Sequence, residues 1–118
     1  MKRNITLEQL SSLSEFGREN LWRYFEPIFT KELGAMTPEE QKKMGNIMMG
    51  KVIPLLDIPT MIEYLSTNST VKMEQWNDEY KYWRVGLNWF SEDDYCYVVE
   101  KKELCDALWE LVKELLED

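Results

Sequence analysis

Tyr80-Lys81-Tyr82-Trp83-Arg84-Val85-Gly86-Leu87-Asn88-Trp89-Phe90 is the stretch on which the fold turns. Trp83, Val85, Leu87 and Trp89 fall on one side of an alternating pattern, and Tyr80, Tyr82, Arg84 and Asn88 fall on the other. A period of two belongs to a strand with one face against a core. Gly86 marks a bulge or a close approach of another group. Upstream, Val71 and Met73 alternate with Lys72 and Glu74, and Asn77-Asp78 supplies a turn. Downstream, Ser91-Glu92-Asp93-Asp94 is a second turn and Tyr95-Cys96-Tyr97-Val98-Val99 a third strand. Three consecutive strands with short connections predict an antiparallel meander.

The core face of such a sheet needs a cover, and the C-terminal stretch provides one. Over residues 101–117, Leu104, Leu108, Leu111, Val112, Leu115 and Leu116 recur at helical spacing, joined by Cys105 and Trp109. On the opposite side Glu103, Asp106, Glu110, Glu114 and Glu117 line up at steps of three and four. The pattern predicts an amphipathic helix with its apolar side on the sheet.

The N-terminal half reads as short helices. Thr6-Leu7-Glu8-Gln9 is a capping box. Ser14 caps a second helix carrying Phe16, Leu21, Trp22 and Phe25, which Pro27 is expected to end. Thr37-Pro38-Glu39-Glu40 opens a third, weakened by Gly45 and Gly50 and stopped by Pro54. Asp57 caps a fourth, with Ile58, Met61, Ile62 and Leu65 on one face. The expected fold class is α+β in a single domain, 1–118: N-terminal helices, a three-stranded antiparallel sheet, and a C-terminal amphipathic helix packed on the sheet.

Composition narrows the chemistry. At 118 residues with 44% apolar side chains the chain can build one core without a metal or disulfide staple. Cys96 and Cys105 read as reduced thiols. No run of about 18 apolar residues predicts a membrane span. The N-terminus lacks the apolar run of a signal peptide, so the sequons at Asn4 and Asn68 carry no weight. A cytoplasmic location is expected. The chain has no histidine, which removes the commonest general base and most metal sites. No glycine-rich phosphate loop occurs. No catalytic, cofactor-binding or metal residue is therefore assigned, and a non-enzymatic protein is expected. A carboxylate-dependent metalloenzyme, with Glu92, Asp93 and Asp94 as its first candidates, ranks third.

Charge placement says more than its total. Net charge is −8, and residues 91–118, with ten acidic and three basic groups, hold −7 of it. Such asymmetry suggests an acidic surface aimed at a basic partner, although a solvated helix face has the same composition. From Glu103 to Glu117 a helix rises about 21 Å, which spaces five carboxylates at intervals of the order found between nucleic-acid phosphates. The aromatic strands, with Trp76, Tyr80, Tyr82, Trp83 and Trp89 near Lys72, Lys81 and Arg84, invite a base-stacking reading. The region is neutral and the chain acidic, so direct nucleic-acid binding is not expected.

Three fragments resemble small proteins of phages and prophages of Gram-positive bacteria. They are Thr6–Leu10 leading to Leu21-Trp22-Arg23-Tyr24-Phe25-Glu26-Pro27, then Pro54–Leu65, then Glu103–Lys113. Pro59 and Thr60 stand where that group has a small flexible pair. The resemblance implies a cytoplasmic accessory protein in a bacterial host, without an activity. By analogy with other small acidic phage proteins, it suggests an inhibitor of a host defence protein, such as a CRISPR or restriction nuclease. The leading expectation is a binder of a basic host protein through Glu92, Asp93, Asp94, Glu103, Asp106, Glu110, Glu114 and Glu117. The alternative is a phage structural or assembly protein that forms a homo-oligomer through aromatic surface.

Overall fold

The strand pattern sets the register of the sheet. In the computed structural model, which describes residues 2–34, 50–67, 69–76, 81–89 and 97–117, strands β1 (Ser69–Trp76), β2 (Tyr82–Trp89) and β3 (Tyr97–Lys101) form an antiparallel meander of order β1-β2-β3. Val71 pairs with Leu87 and Leu87 with Tyr97, while Val85 pairs with Met73 and Val99. Directly paired residues share a face, so these side chains lie on the inner face, where Met73 stays 40% exposed. Val85 and Leu87 are buried, and Val71, Trp83, Tyr97 and Val99 are partly buried against the core. Tyr82 and Arg84 take the outer face, as the alternation predicts. The side chains of Asn88 and Trp89, and all of Tyr80, Asn77-Asp78 and Ser91–Asp94, lie outside the described residues.

Among the described residues the sheet is accompanied by α1 (Leu7–Ser11), α2 (Glu15–Leu33), α3 (Ile58–Leu65) and α4 (Leu104–Glu117), with a 3-10 turn at Ile53–Leu55 before α3. Helix α4 is central. It packs against α2, α3, β2 and β3, while α3 reaches β1. Leu104, Cys105, Leu108, Trp109, Leu111, Val112 and Leu116 are all buried, so burial of the inner sheet face and of the apolar side of α4 accounts for one continuous core. The fold is α+β, with the C-terminal helix on the sheet.

The caps predicted at Thr6, Ser14 and Asp57 are present. Thr6 and Gln9 exchange both bonds of a capping box, Ser14 Oγ accepts from Gly17 N–H, and Asp57 accepts from Thr60 N–H. The helix expected to begin at Thr37 lies largely outside the described residues.

Two expectations for α2 need correction. The helix does not end at Pro27 but runs to Leu33 and closes at Gly34, whose φ is +85°. Proline removes one N–H, the partner of the Arg23 carbonyl. Arg23 and Pro27 are both exposed, so water can satisfy that carbonyl. Beyond the proline, buried Phe29 packs edge-on to Trp22 at 4.9 Å and stacks on Phe25 at 5.9 Å, and Ile28 packs on the same core. Phe16 is not on the apolar stripe either and is 52% exposed. At about 100° per residue it lies roughly 140° from Leu21. The stripe runs instead through Gly17, Leu21, Phe25 and Phe29.

Candidate functional site

The acidic side of α4 divides into two sets. Glu110 and Glu114, one turn apart, are exposed, whereas Glu103, Asp106 and Glu117 are partly buried and hold the N-terminal part of the chain. Glu103 Oε2 accepts from the Lys2 backbone N–H at 3.2 Å. Asp106 Oδ1 accepts from Lys2 Nζ at 2.5 Å and from Gln9 Nε2 at 2.9 Å. Gln9 Oε1 in turn accepts from Lys2 Nζ and from Thr6 N–H. The capping box of α1 is thereby tied to α4 through one shared ammonium.

At the other end of α4, Glu117 grips the start of α2. Its carboxylate accepts from Ser14 N–H at 2.8 Å and from Ser14 Oγ at 2.5 Å. A carboxylate at a helix N-terminus also meets the positive end of the helix dipole. Gly17 leaves room for this contact, since a Cβ there would collide with the Glu117 carboxylate. Nearby, the buried Asn20 donates its side-chain N–H to the Leu116 carbonyl at 2.8 Å, satisfying one of the orphan acceptors at the end of α4. Three of the five carboxylates of the predicted row thus have structural partners, and Glu110 and Glu114 are its outward-facing members. Glu92, Asp93 and Asp94 lie outside the described residues.

These contacts shift the titration of both acids. Partial burial works against the charge on Asp106, but hydrogen bonds from Lys2 and Gln9 and the charges of Lys2 and Lys101 outweigh it and hold the carboxyl below its ordinary 3.8. Hydrogen bonds from Ser14 Oγ and N–H, helped by Lys113 against a small desolvation effect, hold Glu117 below its ordinary 4.5. A folded-state value below the unfolded one stabilises the fold above the unfolded pKa. That stability is lost as pH falls through the folded value. The urea midpoint of the parent should therefore fall more steeply below about pH 4 than those of Asp106→Asn and Glu117→Gln. Equal acid limbs for all three would contradict the assignment.

Two other described groups are shifted, both mainly by burial. Burial pushes the Cys105 thiol up to about 11, with Lys2 pulling it back and Asp106 and Glu103 adding to the rise. Burial and neighbouring Tyr24 push Tyr64 up to about 12. Among the described residues no three acidic or thiol side chains converge as metal ligands, and no helix is long and apolar enough to cross a membrane.

The outer face of the sheet is a separate surface. Lys72 pairs with Glu74 at 2.9 Å, and Arg84 lies 3.7 Å from Glu100. These four side chains balance in charge, and Lys72, Glu74 and Arg84 line, with Gly86 and exposed Val98, a depression of about 170 Å³. Comparison with family models, curated proteins and solved structures yields no match to this chain.

Proposed function

We propose that this chain acts by binding and not by catalysis, as a phage-type accessory protein whose acidic C-terminal face docks on a basic surface of a host protein. The observation that carries the reading is the concentration of −7 of the −8 net charge in residues 91–118, together with the outward display of Glu110 and Glu114 on a helix whose other side is anchored in the core. Carboxylates on a rigid support lose little freedom on binding. Their field speeds encounter with a cationic partner. The resembling fragments support a phage accessory protein without an activity; analogy with other small acidic phage proteins suggests a host protein that handles nucleic acid as the partner, and an inhibitory role follows if the basic surface is its nucleic-acid groove.

Capture from a bacterial lysate tests this reading. The bound protein should be retained at low salt and released near 1 M salt, where screening shortens to about 3 Å. Retention that is indifferent to salt would point away from the acidic face. The outer sheet face favours a second reading, self-association, because its balanced charges let two strongly negative copies approach there. Sedimentation of the purified protein separates the two: a stable oligomer supports self-association.

A further inference from the structure

We propose that residues 2–6 form a strap that closes over α4 and opens while the rest of the fold stays intact, and that closure withholds Glu103 and Asp106 from the acidic face. The second half rests on the docking reading above; the first does not. The strap is held by few contacts. Lys2 is clasped by Glu103, Asp106 and Gln9. Asn4 donates its side-chain N–H to the carbonyls of Ile53 and Pro54 and forms an isolated bridge with Asp57. Ile5, 3% exposed, is its apolar anchor in the core.

Each polar contact is of a kind that opens easily. The Lys2 and Asp106 side chains are 27% and 29% exposed, so the clasp is hydrated and screened by salt. The strap hinges at Thr6, the extended N-cap of α1, whose own bonds to Gln9 and Leu10 stay in place, so its release breaks no bond within a helix or within the sheet. Segments with few apolar anchors open locally, well below the cost of global unfolding. In the open state the Lys2 ammonium leaves, and Glu103 and Asp106 join Glu110 and Glu114 in one outward row. A lysine or arginine of a basic partner is the natural competitor for the place Lys2 holds.

Cys105 reports on the strap, because it is fully buried in the closed state and Lys2 sits near enough for its charge to act on the thiol. In a Cys96→Ser background, labelling of Cys105 by a thiol reagent should proceed at a rate nearly independent of urea up to about 1 M, as expected when little surface is exposed on opening. Lys2→Ala should speed labelling by up to about fivefold, the ceiling for an exposed ion pair. Arg3→Ala, an equal change in charge at an exposed neighbour, should leave the rate unchanged. A rate that climbs with urea as steeply as global unfolding, or identical rates for Lys2→Ala and Arg3→Ala, overturns the strap. Titration with a lysine-rich peptide completes the test. Tighter binding to Lys2→Ala than to Arg3→Ala supports the withholding role, and equal binding overturns it. Failure of every variant to bind the peptide, with the labelling result intact, overturns the docking reading and leaves the strap standing.

Discussion

Replacing Leu108 with alanine should lower the unfolding free energy by about 2–5 kcal/mol, the range for truncating a large buried aliphatic side chain. Leu108 is fully buried midway along α4, the helix that touches α2, α3, β2 and β3. A void at this position faces several elements at once, and they cannot all move in to fill it. The loss therefore includes a cavity contribution as well as the transfer of the removed methyl groups. Urea denaturation read by tryptophan fluorescence measures it. A change below about 0.5 kcal/mol, typical of surface positions, would mean that α4 presents a different side to the sheet.

Phe29→Ala should cost about 3–5 kcal/mol, as other buried aromatic truncations do. This substitution tests the part of α2 that lies beyond Pro27. Phe29 is 1% exposed and contacts the rings of Trp22 and Phe25. If α2 stopped at the proline, position 29 would sit in a surface connection and its truncation would be nearly silent. Tyr24→Ala offers the contrast, because its ring is 55% exposed and its removal should cost far less than that of Phe29.

Local patterns carried most of the architecture. The alternation through Trp83, Val85 and Leu87 placed a strand and its inner face, and the spacing from Leu104 to Leu116 placed the covering helix. The caps at Thr6, Ser14 and Asp57 were legible because a capping bond spans only three residues. Pro27 misled because its local cost was weighed without the burial of Ile28 and Phe29, which tertiary contacts alone reveal. The acidic row was legible as a row, but its division was not. Lys2 and Asp106 are 104 positions apart, and Ser14 and Glu117 are 103 apart; no spacing rule connects residues at that distance. The capping role of Gln9 accounts for its place in the sequence by itself, and nothing local signals its second bond, to Asp106. Gly17 gave no sign that a carboxylate would sit against it.

The structure also sharpens the choice of variants. Asp106 and Glu117 support the fold, so replacing them confuses binding with stability. Glu110 and Glu114 have no such duties among the described contacts and can be neutralised with little structural effect. The most direct test of the account is the affinity of a captured and purified partner for the parent and for the double variant Glu110→Gln/Glu114→Gln, measured at low salt. Each exposed charge contributes a few tenths to about 1 kcal/mol. The account predicts unchanged urea stability and a loss of affinity of roughly threefold to thirtyfold. Equal affinity for parent and double variant would show that the acidic face is only a solvated surface, and would contradict the account.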